Sequence, residues 1–186
     1  MTLEIAKLAP PVSNKRDHIQ GPDTVPATLV EFGDYECPYC GQAYPIIKEI
    51  QKYLGNNLRF VFRNFPLTQI HPHAQHAAEA AEAAGAQNKF WEMHDYLYEH
   101  QQSLDDKNLE KYAGILGLGM VKFKNDFYKH VYASRVREDF LSGVRSGVNG
   151  TPSFFLNGIH YNNSWDYETL SETLVSIIKE KQLADK

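Results

Sequence analysis

The sequence predicts an α/β fold in which a helical segment interrupts a domain of strands and helices. Two apolar runs, at 27–32 and 58–62, flank a helical pattern and predict a strand–helix–strand unit. Residues 67–147 carry only helical periodicity, and strand patterns return in 148–186. Because strand-bearing parts lie on both sides of the helical segment, we expect them to build one discontinuous domain.

The strand–helix–strand unit is the clearest pattern in the chain. Residues 27–32 read Ala-Thr-Leu-Val-Glu-Phe, an apolar run with β-branched side chains that is typical of a buried strand. A Gly-Asp pair ends this run, and a helical pattern with apolar residues at three- and four-residue spacing extends from Pro38 to Leu54. The run Leu-Arg-Phe-Val-Phe at 58–62 is the second strand, and the right-handed crossover rule makes it parallel to the first.

The interrupting segment predicts several amphipathic helices. One of them carries a stripe of small residues that allows close packing on a neighbour, with Glu79 and Glu82 off the stripe. The stripe consists of Ala74, Ala77, Ala78, Ala81 and Ala84. Further helical patterns occupy 90–98, 109–116 and 123–140.

The C-terminal part returns to strands. Residues 153–156 and 159–161 predict two short strands joined by an Asn157-Gly158 turn, and a helix follows at about 167–181. The predicted organisation is an extended, mostly surface arm at 1–25, a discontinuous domain at 26–66 and 148–186, and an inserted helical domain at 67–147.

Composition limits the function classes. With 186 residues and 42% hydrophobic content, the chain can bury a substantial core. A net charge of −4 without a basic cluster argues against nucleic-acid binding, and no apolar stretch is long enough to span a membrane. The first twenty residues lack the apolar core of a secretory signal, so we expect a cytoplasmic protein, or a periplasmic or other extracytoplasmic one if the chain is a processed mature form. Oligomeric state leaves no signal in the sequence.

Cys37 and Cys40, the two cysteines of the chain, form a Cys-Pro-Tyr-Cys motif at the start of the first predicted helix. Backbone N–H groups and the helix dipole favour a thiolate there, and such cysteines titrate at roughly 3.5 to 7.5. Cys37 is therefore the predicted nucleophile. Cys40, one turn later, can attack the mixed disulfide that Cys37 forms with a partner. Pro38 suits the first helical turn because its φ is already helical.

Two other interpretations of the pair remain open. A structural disulfide is disfavoured because stabilisation by cross-linking grows with loop length, and this loop is very short. A zinc site needs four ligands, and without a second Cys-X-X-Cys only His71, His73 and His76 offer to complete one. We expect no metal and no cofactor beyond the redox pair itself.

Two glutamates near the motif have opposite expected effects. Glu31 lies inside an apolar strand, where burial would raise its pKa toward the range useful for relaying the proton of Cys40. The alternative is a strand-end glutamate that reaches solvent. The charge of Glu36, next to Cys37, opposes thiolate formation.

A second constellation lies far along the chain, at Gly150-Thr151-Pro152 before the strand at 153–156. Proline is tolerated at the head of a strand, and here it is a candidate for a cis peptide bond. Such a turn would expose backbone groups to an extended peptide partner.

The two motifs together resemble the DsbA-like thiol-disulfide oxidoreductases of the thioredoxin superfamily. The matching stretches are Glu-Phe-Gly-Asp-Tyr-Glu-Cys-Pro-Tyr-Cys at 31–40 and Gly-Val-Asn-Gly-Thr-Pro-Ser-Phe-Phe at 147–155. The chain is also similar to the thioredoxin-like domains found fused to sodium/proton antiporters. The resemblance implies a thioredoxin-like fold interrupted by an inserted α-helical domain.

The resemblance also implies roles for individual residues. Cys37 would be the attacking cysteine, Cys40 the resolving one, and Glu31 the acidic residue beneath the resolving cysteine. Pro152 would be the cis-proline beside them. The substrate-binding residues would be Pro38, Tyr39, Thr151 and Pro152.

The resulting prediction is a protein disulfide oxidoreductase whose partners are protein or peptide thiols and disulfides. The strongly oxidising members of the family carry histidine where this chain has Tyr39, so we expect an intermediate reduction potential. Two alternatives stay open: a glutathione-dependent enzyme similar to glutaredoxins or kappa-class transferases, with glutathione as reductant, and a non-catalytic redox-sensing interaction domain.

Overall fold

Most of the strands and helices form where the apolar patterns predict them, but the helical pattern at 123–140 is divided between two helices, one that ends at Tyr128 and one that begins at Ala133. The computed structural model describes residues 6–184. In chain order the elements are β1 (His18–Gln20), β2 (Ala27–Gly33), α1 (Pro38–Leu54), a 3-10 turn (Gly55–Asn57), β3 (Leu58–Asn64), α2 (Ala74–Gly85), α3 (Phe90–Glu99), α4 (Asp106–Ile115), α5 (Met120–Tyr128), α6 (Ala133–Arg145), β4 (Ser153–Leu156), β5 (Ile159–Tyr161) and α7 (Tyr167–Ala184). These bounds confirm the predicted α/β class.

The sheet has five strands in the order β1-β3-β2-β4-β5. All seven residues of β2 are buried, as the unbroken apolar run requires of a central strand. β4 runs antiparallel to β2, with Phe32 opposite Ser153, and β5 runs antiparallel to β4. The first predicted strand therefore forms the middle of the sheet.

The turn between β4 and β5 confirms the Asn-Gly prediction. Asn157 has φ 48° and Gly158 has φ 83°, as a two-residue turn with both central residues left-handed requires. The Asn157 side chain also accepts a hydrogen bond from Thr28 N at 2.8 Å and donates one to Pro26 O at 3.0 Å. One residue thus makes the turn and fastens the hairpin to the start of β2.

The N-terminal arm is more than the extended surface segment that the sequence predicted. Residues 18–20 form β1, which pairs antiparallel with β3. Leu8 is buried, its N–H donates to Gly158 O at 2.9 Å, and Lys7 bridges to Ile159. A three-residue strand is too short to show periodicity, so these pairings leave no pattern in the sequence.

A buried ion pair fastens the arm to the sheet. Arg63 Nε donates to Asp17 Oδ1 at 2.8 Å, and both side chains are 0% exposed. A second guanidinium nitrogen donates to Asp17 Oδ2 at 3.1 Å, and a third to Pro10 O at 3.0 Å. Burial by itself would raise the pKa of Asp17, but Arg63, with smaller contributions from Ser13 and Arg16, holds that pKa below its ordinary value of 3.8.

The described chain divides into two compact units. The sheet unit comprises residues 6–32, 42–63 and 142–184, and the helical unit comprises 33–41 and 64–141. In the helical unit, α2 contacts α3, α4 and α5. No helix within residues 6–184 is long and apolar enough to cross a membrane. The domain boundaries predicted from sequence remain a prediction.

Helix α2 is buried at every position from Ala77 to Ala84, which corrects the expected stripe. Glu79 and Glu82, placed off the stripe by the sequence, are 2% and 5% exposed. Glu79 lies 2.9 Å from His130 Nδ1, and Glu82 accepts a hydrogen bond from Asn64 Nδ2 at 2.8 Å. Alanines on the remaining surface let neighbouring helices approach closely enough to enclose both glutamates.

The buried pair gives a testable prediction. Asp17→Asn leaves the Arg63 charge buried without its counter-ion and should lower the free energy of unfolding by about 3 kcal/mol at pH 7. Because the folded pKa of Asp17 lies below 3.8, the difference from wild type should be full above that value and shrink as pH falls through the folded pKa. Urea unfolding at a series of pH values measures both.

The matched control for Asp17 is Asp23→Asn, which changes an exposed aspartate of the same arm. This variant should stay within about 0.5 kcal/mol of wild type. Equal stability of the Asp17 and Asp23 variants would show that the ion pair does not hold the arm.

Candidate active site

Cys37 occupies the N-cap position of α1, as the sequence predicted. The helix begins at Pro38, and Cys37 O accepts a hydrogen bond from Gly41 N at 3.1 Å. Cys37 N donates to Asp34 O at 3.1 Å, which closes a tight turn immediately before the helix. Cys37 therefore lies at the N-terminal end of the helix, where backbone N–H groups and the helix dipole favour negative charge.

Both cysteines are buried. Cys37 is 3% exposed and Cys40 is 0% exposed, whereas the two residues between them, Pro38 and Tyr39, are exposed, Tyr39 at 62%. Cys40 Sγ accepts a hydrogen bond from Asp34 N at 3.5 Å. Both cysteines therefore lie beneath an exposed Pro-Tyr pair, and the Cys40 sulfur contacts the backbone of Asp34.

Asp34 organises the loop that precedes Cys37. Its side chain is buried, with Oδ1 accepting from Glu36 N at 2.8 Å and Oδ2 accepting from Leu67 N at 2.8 Å. His71 Nδ1 lies 2.8 Å from the same Oδ2. Since the backbone of Asp34 contacts both cysteines, one residue connects the cysteine pair to the loop at 67–71. In the sequence Asp34 indicated only the end of a strand, although an aspartate that caps its own turn is a recognisable signal.

Two further residues of the helical unit reach the cysteine loop, and sequence analysis missed both. Tyr35 is buried, and its hydroxyl lies 3.1 Å from His94 Nδ1. Gln101 Nε2 donates to Tyr35 O at 2.8 Å and to Cys37 O at 3.0 Å. No sequence pattern marks a glutamine 64 residues from the cysteine it contacts.

Two of the three histidines that could have completed a zinc site are hydrogen-bonded through a ring nitrogen, and the third makes a backbone contact. His71 is hydrogen-bonded to Asp34, and His76 Nδ1 lies 2.6 Å from Asp106 Oδ1. The backbone N–H of His73 donates to Glu36 Oε2 at 2.6 Å. Across the described chain, no three His, Cys, Asp or Glu side chains are arranged to hold a metal ion.

The remaining predicted site residues belong to the sheet unit. Glu31 is 2% exposed in β2, opposite Phe154, so the alternative of a glutamate that reaches solvent is wrong. The Thr151–Pro152 peptide bond is cis, and Pro152 immediately precedes β4. Glu31 therefore lies in β2, and Pro152 directly precedes the neighbouring strand β4. Cys37, Cys40, Pro38 and Tyr39 lie in the helical unit.

The chain is similar to proteins of one family. The thioredoxin family model matches residues 13–175. Oxidised BdbD from Bacillus subtilis matches with a TM-score of 0.79 and 27% identity over 94% of this chain and 97% of that one. The thiol-disulfide exchange protein alpha-DsbA2 from Wolbachia pipientis shares the fold, with a TM-score of 0.75 and 18% identity over 88% of each chain.

A curated relative is much longer than this chain. The Na(+)/H(+) antiporter NhaA 1 of Salinispora arenicola is 46% identical over 172 residues, which is 92% of this chain and 26% of the antiporter. The chain therefore spans about a quarter of the length of the curated relatives that it matches. The match over 13–175 and the DsbA-like architecture confirm the recognition made from the two motifs: the chain belongs to the thioredoxin family.

Proposed function

We propose that this chain is a thiol-disulfide oxidoreductase that exchanges disulfides with protein substrates through Cys37 and Cys40. The observation that carries the proposal is the position of Cys37 at the N-terminus of α1, with Cys40 one turn later under the Asp34 N–H. Membership of the thioredoxin family and a fold shared with a thiol-disulfide exchange protein support it.

The reaction is a two-step exchange. The Cys37 thiolate attacks one sulfur of a substrate disulfide, forming a mixed disulfide and releasing the other substrate sulfur as a thiolate that takes up a proton. Cys40, after losing its proton, attacks Cys37 Sγ, which releases the second substrate thiol and leaves a Cys37–Cys40 disulfide. The substrate gains the two electrons that the cysteine pair loses, and the reverse sequence oxidises a substrate dithiol.

Asp34 supports the second step. Its N–H donates to Cys40 Sγ, and a hydrogen bond to sulfur stabilises negative charge there. The buried carboxylate, which accepts hydrogen bonds from Glu36 N and Leu67 N, keeps that N–H in place. Asp34 is in this proposal a positioning residue for the resolving cysteine.

We assign roles to the other predicted site residues from family membership and from their surroundings. Glu31, buried in β2, is the proposed carrier of the Cys40 proton, because a carboxyl group in an apolar strand is more readily protonated than one in water. We assign substrate contact to the exposed Pro38 and Tyr39 and to Thr151 and Pro152. No cofactor beyond the cysteine pair is proposed, and glutathione is the proposed reductant.

The antiporter relatives favour a second candidate function. Because this chain matches about a quarter of each antiporter, a redox-sensing domain that responds to oxidation without turnover is the alternative. Both candidates need a reactive Cys37, but only the oxidoreductase needs repeated exchange. Multiple turnovers of insulin reduction per protein molecule, with glutathione or dithiothreitol as reductant, would distinguish them.

The cysteine roles give the first prediction of this site. Cys37→Ser should abolish insulin reduction, because the attacking thiolate is lost. Cys40→Ala should keep the first step and accumulate a mixed disulfide between Cys37 and substrate, since the resolving thiol is missing. Mass spectrometry of the non-reduced protein measures the trapped species.

The opposite pattern would contradict the assignment of roles. A mixed disulfide on Cys40 in the Cys37→Ser variant, together with no trapped species in the Cys40→Ala variant, would make Cys40 the nucleophile. Full activity of both single variants would remove the dithiol mechanism altogether.

The Asp34 loop gives the next prediction. Asp34→Asn replaces one acceptor oxygen by an NH₂ group that faces a backbone or imidazole N–H, so the free energy of unfolding should fall by about 2 kcal/mol. The mixed disulfide of this variant should also persist longer than that of wild type. Urea unfolding and quenched-flow trapping measure the two effects.

Asp105→Asn is the matched control for Asp34. Asp105 caps α4 by accepting from Lys107 N and Asn108 N, and asparagine is an equally good cap. Its stability should change by less than about 0.5 kcal/mol. An Asp34 variant as stable as this control would show that the buried carboxylate does not organise the loop.

In our proposal Tyr39, the second of the two residues between the cysteines, controls the reduction potential of the cysteine pair. Tyr39→His places a cationic or hydrogen-bonding ring beside the Cys37 thiolate, which stabilises the reduced form and should make the couple more oxidising by about 30 mV, a tenfold change in equilibrium constant. Because Tyr39 is 62% exposed, its replacement should not disturb the core. Redox titration against glutathione buffers gives the potential.

Tyr53→His is the matched control, since Tyr53 lies on the same helix and is also 62% exposed. It should leave the potential unchanged. An equal shift in both variants would trace the effect to the overall charge of the protein instead of the position between the cysteines.

A further inference from the structure

The side chain of Gln101 is bound to the loop that carries Cys37. Gln101 follows α3, and its Nε2 donates to Tyr35 O at 2.8 Å and to Cys37 O at 3.0 Å. A glutamine amide nitrogen carries two N–H donors, so both are used on these two carbonyls. Gln101 therefore connects Tyr35 with Cys37, the proposed nucleophile.

The glycine at position 41 provides the space for this amide. A Cβ added to Gly41 would lie 1.9 Å from Gln101 Oε1 and 2.7 Å from its Cδ. Glycine in a helix is less favourable than alanine, so its presence in the first turn of α1 calls for a reason. The reason here is close approach: any larger residue would displace the amide from both carbonyls.

The Cys37 carbonyl receives two hydrogen bonds as a result. The Gly41 N–H donates to this carbonyl from within helix α1, and Gln101 Nε2 donates to it from outside the helix. Tyr35, the other acceptor, is itself fixed through its hydroxyl to His94 and through ring contact with Tyr98 at 5.0 Å. The peptide that carries Cys37 is thereby held from the α3 end of the helical unit.

We propose that Gln101 is a positioning residue for Cys37, and that Gly41 is present to admit it. The inference rests on the proposed function. Helix N–H groups stabilise a thiolate only when the sulfur is held at the helix end, because the effect falls off within one turn. With the Gln101 amide removed, the first turn can relax, the thiolate is less stabilised, and Cys37 reacts more slowly.

The first experiment measures the reactivity of Cys37 directly. In a Cys40→Ala background, which leaves a single thiol, Gln101→Met keeps the length of the side chain but removes both donors. The rate constant for alkylation by iodoacetamide at pH 7 should fall at least fivefold, and the pH at half-maximal rate should move upward. Gln102→Met, which changes the exposed neighbouring glutamine, should match the parent on both measures.

The second experiment approaches the same contact from the other side. Gly41→Ala should slow alkylation to a similar degree, because its methyl group displaces the amide. In a Gln101→Ala background the same substitution should cause no further loss, and it should raise the thermal midpoint as alanine in a helix does. Gly114→Ala in α4 is the matched control, since its Cβ would come no closer than 3.9 Å to Met120 Sδ, and it should leave alkylation unchanged in both backgrounds.

The outcomes decide the inference separately from the proposed function. Unchanged alkylation in both Gln101→Met and Gly41→Ala overturns the positioning role, and additive losses in the double variant overturn the link between the two residues. If Gln101→Met does not fold, Gly41→Ala alone decides. If the parent protein has no insulin reductase activity, the proposed function fails, while non-additive thermal midpoints would still demonstrate the contact between Gln101 and Gly41.

Discussion

Both cysteines are hydrogen-bonded to the backbone of one residue, Asp34, whose carboxylate is buried. Asp34 accepts hydrogen bonds from the backbone of Glu36 and Leu67, and its own N–H reaches Cys40 Sγ. The carbonyl of the same residue accepts from Cys37 N, which sets the turn before the helix. Burying an aspartate is costly unless its oxygens have donors, and here those donors come from the loop that must be held. The geometry of the cysteine pair therefore depends on the same contacts that make the burial of Asp34 tolerable.

Buried charged groups also need hydrogen-bond partners elsewhere in the structure, and there they connect parts of the chain that are distant in sequence. Asp17 and Arg63 tie the N-terminal arm to a sheet strand through two hydrogen bonds. Glu82 ties α2 to Asn64 at the end of β3. Breaking the Asp17–Arg63 pair would leave a charge alone in the interior at a cost of about 3 kcal/mol. These buried polar contacts thus fix which distant segments meet, whereas apolar burial supplies most of the stability.

A thiolate at the start of a helix is stabilised only while the sulfur is held close to the first turn. The helix dipole acts over a short range, so small displacements of the first turn change the stability of a thiolate at its end. In this chain the turn has supports of two kinds, the Asp34 carboxylate with the loop at 67–71 and the Gln101 amide admitted by Gly41.

The sequence by itself determined the α/β class, the bounds of most strands and helices, and the position of Cys37 at a helix start, because these follow from local periodicity and from residues next to each other. Only the tertiary structure decided the pairing of β1, the burial of Glu79 and Glu82, and the contacts of Asp34 and Gln101. Those features depend on hydrogen-bond partners that lie tens of residues apart, and a single sequence contains no signal of which distant group a polar side chain will meet. The propensity for a helix or a strand depends on neighbouring residues, whereas the hydrogen-bond partners of buried polar groups come together only when the chain folds.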